Sequence, residues 1–233
     1  MRLNNFLRDV TRRQRAALER HGMLLIADVA VEHISLAEAR DHLSIDAFGS
    51  PSPESAWDDW LEAQIPAARE YCEQYLGRSL AAKTLEYATH TFPTHAAATP
   101  PGLAFQLPFG PVQEVVSVTY TDADGTPQTV DAATYELDPY STPTLLALVY
   151  GEVWPTALAS TNSVKVRYIA GYNLADDTPR PFPLPKLARS AMLLMLAHLF
   201  ANREATTEGT ILELPLGVQA LLDFLPRERL GLA

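Results

Sequence analysis

The spacing of apolar positions changes along the chain, and those changes divide it. In residues 57–76 Trp57, Leu61, Ile65, Ala68, Cys72 and Leu76 recur at intervals of four and three, one face of a helix. Trp60, Ala67, Tyr71 and Tyr75 widen that face. Pro66 falls inside it and predicts a kink, because it removes one backbone hydrogen bond. Gly77 stands where a left-handed residue closes a helix. Over residues 83–172 the period drops to two: Leu85, Tyr87 and Thr89, then Val116, Val118 and Tyr120, then Val164, Val166 and Tyr168 alternate with mostly polar neighbours. These read as half-buried strands. Asp122-Ala123-Asp124-Gly125 is a hairpin turn, and prolines at 93, 100, 101, 108, 111, 127, 139, 143 and 155 cut the rest into short strands. A β-rich insert of sandwich or barrel type follows over residues 81–179.

Residues 184–204, LPKLARSAMLLMLAHLFANRE, return to helix. From Ala191 to Ala201 the single polar side chain is His198, so the helix is apolar on nearly all sides and should be buried on nearly all sides. Those eleven residues are too few to cross a bilayer, which takes about 20. The helix is therefore a core element, or one packed on its own core and on a neighbouring subunit, and Leu193, Leu194, Leu196, Ala197 and Phe200 are its candidate contact residues. Ser35-Leu36-Ala37-Glu38 is a capping box that opens a short helix over 35–43. Residues 44–54 read as a loop. The end, 210–233, holds a short apolar helix near 216–224 and a charged tail. The fold class is α+β: a helical bundle (35–43, 55–77 and 185–204) carrying an inserted antiparallel β-rich domain between extended N- and C-terminal arms. The expected units are a basic helical arm over 1–33, a discontinuous helical core over 34–80 and 180–209, the insert over 81–179, and a C-terminal segment over 210–233.

Charge changes this picture at one end. The net charge is −10, but six arginines in residues 1–22 face only Asp9 and Glu19, so that arm carries +4 and the rest −14. An acidic body argues against wrapping nucleic acid, which needs clustered Lys and Arg, and suits a surface past which DNA slides. The arm, with Arg8, Arg12, Arg13 and Arg15, reads as a solvated or partner-docked helix, or as one that touches DNA. No apolar signal segment or membrane span occurs, and the lone Cys72 excludes an internal disulfide.

Candidate chemistry is sparse. His90 and His95 flank a loop without a third ligand at a known spacing. His198 reads as a structural histidine, Cys72 as a small core residue, and Asp122, Asp124, Asp131 and Asp138 as turn formers that lack the pattern of a calcium loop. No phosphate-binding glycine loop, nucleophile elbow or HExxH occurs. The expectation is no enzyme, no metal and no cofactor.

Several stretches in order carry a resemblance: ISLAEARDHLSID (34–46), IPAAREYCEQYLGRSL (65–80), LPFGPVQEVVSVTYTDADGTPQTVDAATYELD (107–138) and VKVRYIAGY (164–172), then ARSAMLLMLAHLFANRE and LPLGVQALL. Together, over about residues 34–225, they resemble the head–tail connector family of long-tailed double-stranded DNA phages, also called head-completion or adaptor proteins, in its subgroup with a β-rich insert. The resemblance implies a structural virion protein, made in the host cytoplasm and placed at the capsid–tail junction. It implies a homo-oligomeric ring of about twelve subunits under the portal protein, around passing double-stranded DNA, that seals the filled head. It also implies a docking face for a neck, stopper or tail-terminator protein, and no membrane partner. The apolar C-terminal residues Leu212, Leu214, Val218, Leu221, Leu222 and Phe224 then read as a portal-docking segment. Two other classes remain open. A DNA-binding module acting through the arginine arm would bind random duplex in a salt-sensitive way and lose it on removal of residues 1–22. A metal-dependent hydrolase built on His90, His95 and nearby aspartates would purify with stoichiometric metal.

Overall fold

A computed structural model describes residues 22–45, 55–93, 104–173, 182–202 and 216–228. Among these, four helices and two antiparallel sheets form an α+β fold. In chain order they are β1 (Met23–Ala27), α1 (Leu36–Leu43), α2 (Ser55–Leu76), β2 (Lys83–Thr89), β3 (Phe105–Leu107), β4 (Val112–Thr121), β5 (Pro127–Thr129), β6 (Tyr135–Asp138), β7 (Thr144–Leu148), β8 (Val164–Ala170), α3 (Lys186–Ala201) and α4 (Leu216–Asp223).

Local chemistry explains most boundaries. The Ser35 hydroxyl accepts the Glu38 N–H at 3.2 Å and caps α1. The other half of the expected capping box is spent differently: the Glu38 carboxylate takes the Arg189 guanidinium, at 2.8 Å from Nε, and so ties α1 to α3. Helix α2 runs through Pro66 to Leu76, where Gly77 turns left-handed and its N–H returns to the Glu73 carbonyl. The Asp122 carboxylate accepts the N–H groups of Asp124 and Thr126 and sets the β4–β5 hairpin.

The larger sheet has the order β1-β2-β8-β4-β5, the smaller β3-β7-β6. In β4 a register shift between Val115 and Ser117 breaks the expected alternation and leaves Val116 exposed. Leu85 stands opposite Tyr168, and Tyr87 opposite Val166, so these period-two positions share one face with Val118. That face and the smaller sheet enclose one apolar core, with Val118, Val164, Val166 and Tyr168 from one side and Phe105, Leu107 and Leu146 from the other. Phe92 stacks on Trp154 at 5.1 Å and closes the core at one end. The edge strand β1 comes from residues assigned to the N-terminal arm. Its sequence, MLLIA, is a short unbroken apolar run with no alternation to signal a strand, and it pairs with β2 in an irregular register.

A second core lies among the helices, with Leu61, Ala68, Cys72, Leu76, Met192 and Leu196 at its centre. The two cores meet where α2 gives way to β2, and buried charge fills the meeting point. Arg69 and Glu73 pair at 2.9 Å along α2, and Lys83 at the start of β2 reaches the same Glu73 oxygen at 2.9 Å. The other Glu73 oxygen accepts the Leu80 N–H at 2.7 Å. Arg69 also bonds Glu32, in the link between β1 and α1, at 3.0 Å. Burial opposes the charge on Glu73, yet Lys83 and Arg69 together hold its carboxyl below the ordinary value of 4.5.

His33 sits beside this joint, its Nε2 3.3 Å from the Tyr172 carbonyl. Burial holds its imidazole below the ordinary 6.5; the Arg189 and Arg69 charges act in the same direction, and carbonyl hydrogen bonds oppose them.

Two outcomes follow from this joint. Glu73→Gln leaves Lys83 buried without its carboxylate and Arg69 with Glu32 and the more distant Glu70, and should cost about 3–5 kcal/mol in urea unfolding; a loss under about 1 kcal/mol would show that the charges are solvated. For His33, the unfolded chain binds more protons than the folded protein as pH falls past 6.5, so this group's contribution, present above that value, is lost below it. Glu32 and Glu70, raised by burial, act in the opposite sense nearer 4.5. The test is therefore the stability difference between wild type and His33→Gln, which should move against wild type between about pH 8 and about pH 5.5. A difference independent of pH would contradict it.

Candidate functional site

The residues considered for chemistry are occupied with structure. His90 Nδ1 accepts the Asn162 N–H at 3.2 Å, and His95 lies outside the described residues. His198 is half-buried beside Asn202. Cys72 is buried in the helix core, where desolvation lifts its thiol to about 12 and keeps it protonated. Among the described residues, no group of three or more His, Cys, Asp or Glu side chains is placed to hold a metal ion. No helix among them is long and apolar enough to cross a membrane.

What the structure does present is apolar surface. The interface-or-core residues on α3 separate into two sets. Leu196 is fully buried; Leu193, Ala197 and Phe200 are half-buried, with Phe200 edge-on to Trp57 at 5.3 Å and Trp60 at 5.6 Å. Leu194 is 41% exposed, and so is Leu187 at 39%. Burial on nearly all sides is expected from the chain's own core or from that core and a neighbouring subunit together; within one chain the helix is covered on one side only. Packing by α1, α2 and α4 covers the face carrying Ala188, Met192, Met195 and Leu199, and leaves a strip of Leu187, Ser190, Leu194 and Ala201 toward solvent. A sequence that is apolar all round does not mark which strip its own fold will leave open.

The C-terminal residues divide in the same way. Helix α4 packs on α3, and its Val218 and Leu222 are buried in the helix core of the same chain, with Leu221 packed against that core. Phe224 is 80% exposed, and so is Leu216 at 84%, a residue the sequence reading passed over. The signal was there: Leu216, Ala220 and Phe224 follow at intervals of four, on the side away from Val218 and Leu222. Leu212 and Leu214 lie outside the described residues, as do Arg8, Arg12, Arg13 and Arg15. The larger sheet adds Leu24, Ile26 and Val116 as exposed side chains, and the loops of the smaller sheet add Tyr140, Tyr150 and Val153.

After α4 the chain crosses the joint between the two cores. The Glu228 N–H donates to the Leu76 carbonyl at 3.0 Å, and its carboxylate accepts the Gly110 N–H at 3.1 Å. Arg78 Nε is 3.4 Å from the other carboxylate oxygen. The end of the described chain is therefore fastened to both helices and sheets.

No family model matches the chain, and no curated protein matches its sequence. Solved structures do. One is a chain in a virion of a native gene transfer agent (GTA) particle, with a TM-score of 0.66 and 22% identity over 91% of this chain and 98% of that chain. A chain in the neck of an empty GTA particle, computed with C6 symmetry, gives the same values. A chain in the neck of a native GTA particle, computed with C12 symmetry, aligns with a TM-score of 0.57 and 23% identity, over 90% of this chain and 99% of that one. The likeness spans nearly the whole of both chains and establishes a shared fold.

The split of α3 gives a direct test. Leu196→Asp puts a charge into the helix core and should cost several kcal/mol, on the order of 3 or more. Leu194→Asp places the same charge at the surface and should change the urea midpoint by less than about 1 kcal/mol in equivalent stability. Equal losses in both variants would show the exposed strip to be misplaced.

Proposed function

We propose that this chain is a structural virion protein of the head–tail connector type. It forms a ring of about twelve subunits below the portal, extends the DNA channel, seals the filled head and docks the neck or tail. The observation that carries the reading is the fold shared, along nearly its whole length, with chains of particle-neck structures, one of them computed with twelve-fold symmetry. The order of matching sequence stretches supports the same family.

The physical features fit such a ring. A closed ring needs two different patches on each subunit, one binding the other on the next copy. The strip through Leu187 and Leu194 and the exposed side chains Leu24, Ile26 and Val116 on the sheet supply apolar surface in two separate places. Leu216 and Phe224 are outward residues of the segment that meets the portal, and Leu212 and Leu214 belong to the same segment by sequence. The helical core (34–80 and 180–209) and the β-rich insert (81–179) are the units that share between them the ring contacts and the face toward neck, stopper or tail-terminator partners. The net charge of −14 on residues 23–233 keeps passing phosphates from sticking to the wall. The arginines of the arm, Arg8, Arg12, Arg13 and Arg15, meet an acidic partner or the DNA itself. The protein works at the capsid–tail junction as part of the virion, without catalysis, metal or cofactor.

Electron microscopy tests this directly. Dilute protein should be monomeric or weakly associated, and protein at high concentration or beside its portal should give ring-shaped class averages. Leu194→Asp should keep the fold and lose the ring. Protein that stays monomeric beside its portal at every concentration would refute the reading.

A further inference from the structure

In the seated arrangement Val218 and Leu222, two of the docking candidates, lie inside the body, so docking through them requires α4 to come away. Besides the apolar seat of Val218 and Leu222 in the helix core, the polar ties of this segment are concentrated at its far end. Of the strap over residues 224–228, Phe224, Pro226 and Arg227 are exposed and Leu225 is half-buried, whereas the Glu228 side chain is 1% exposed. The remaining ties, Asp223 to the Tyr75 hydroxyl at 2.8 Å and Arg227 over the Tyr75 ring at 4.1 Å, lie at the surface, where such contacts hold weakly. Helix α4 has eight residues, too few to stay helical without its seat. Its hold and that of the strap are therefore linked.

The socket for Glu228 is shaped to one carboxylate. A Cβ on Gly110 would stand 2.8 Å from Glu228 Oε1, so this position is glycine to leave room for the carboxylate that its own N–H binds. A Cβ on Gly77 would stand 2.6 Å from the Glu228 carbonyl oxygen. Arg78 supplies the charge at 3.4 Å, and the Leu76 carbonyl receives the Glu228 N–H. Two backbone hydrogen bonds, from Gly110 and to Leu76, and the Arg78 charge thus converge on a single residue of the strap, with Gly77 leaving room for its carbonyl.

We propose that Glu228 is a latch: one buried carboxylate that fastens α4 and the strap to the body, and whose release frees the two as a unit while the rest stays folded. A buried polar fastening suits a reversible closure, because water satisfies both of its halves once it opens and the apolar surface bared is limited to the seat of Val218 and Leu222. The role of that opening in docking rests on the connector reading; the opening itself does not.

Amide hydrogen exchange on the full chain reads the opening without any partner. Compared with wild type, Glu228→Gln, Glu228→Ala and Gly110→Ala should each exchange about ten-fold faster or more across residues 216–228, with β8 and the buried turns of α3 unchanged. Gly110→Ala attacks the latch from the socket side and leaves the strap sequence intact. Exchange that rises equally in α2, α3 and α4 would overturn the latch, since Glu228 would then belong to the common core. Unchanged exchange in all three variants, or failure of all three to fold, would overturn it equally. Faster opening together with normal ring formation would leave the latch standing and remove its role in docking.

Discussion

The fold turns on one carboxylate. Glu73 is buried where the helix layer gives way to the sheet, and it is met there by Arg69, by Lys83 and by the Leu80 N–H. Ionised groups taken out of water lose several kcal/mol of solvation each, so the arrangement survives only because every charge has partners at hydrogen-bond distance. That requirement is geometric. Arg69 and Glu73 are one helical turn apart on α2, and Lys83 must enter β2 at a fixed height for its ammonium to reach the same oxygen. The cluster therefore sets the angle and register at which the helices meet the sheet, a job that apolar contacts, being non-directional, do poorly. Glu32 extends the same constraint to the link after β1, which is how the edge strand and the helix layer come to be fixed together.

Glu228 repeats the device beside the end of α2. Both carboxylates accept a backbone N–H and stand next to an arginine charge, which bonds Glu73 at 2.9 Å and lies 3.4 Å from Glu228, and both bridge helix to sheet, but their surroundings differ. Glu73 is enclosed by elements that the two cores hold in place. Glu228 arrives on a strap that buries little else. Net burial leaves its carboxyl above the ordinary 4.5, whereas Glu73 is held below that value. The charged form is thus better supported at the first site than at the second, and the strap is the looser of the two bridges.

The elements were legible in the sequence wherever one period dominated. The stripe from Trp57 to Leu76, the alternation around Val166 and the Asp122–Gly125 turn each carry a local signal strong enough to survive without tertiary information. Strand β1 was not legible, because MLLIA is five apolar residues in a row and takes its conformation from pairing with β2. The charge cluster was hidden for a different reason. In the sequence Arg69, Glu70 and Glu73 are only charged positions within a helical stretch, and it is the packing of residues 28–33 and β2 over them that turns them inward. Likewise Leu194 and Leu196 are the same residue type two positions apart, and their opposite fates depend on which side α1, α2 and α4 approach. Periodicity identifies faces; it does not say how many neighbours will cover them.

That limit bears on how an assembly of such chains would hold together. Each subunit in a ring would bring a body charge of −14 into the company of its neighbours. Like charges beyond about 8 Å are largely screened at physiological ionic strength, so the repulsion that matters acts across the interface itself. The strip through Leu187, Ser190, Leu194 and Ala201 answers this by position. It is a face without carboxylates, on a helix whose nearest exposed charges are Lys186 and Arg189, the latter already neutralised by Glu38. A neighbour's acidic surface would meet there apolar area with Lys186 at its edge, and the same contact made through the acidic exposed side of α2, with Asp59 and Glu62, would set carboxylates against carboxylates. In such an assembly charge would select which apolar face is usable, and it would select a pairing between unlike surfaces. Unlike surfaces are what a closed ring requires, since a patch that bound its own copy would stop at two.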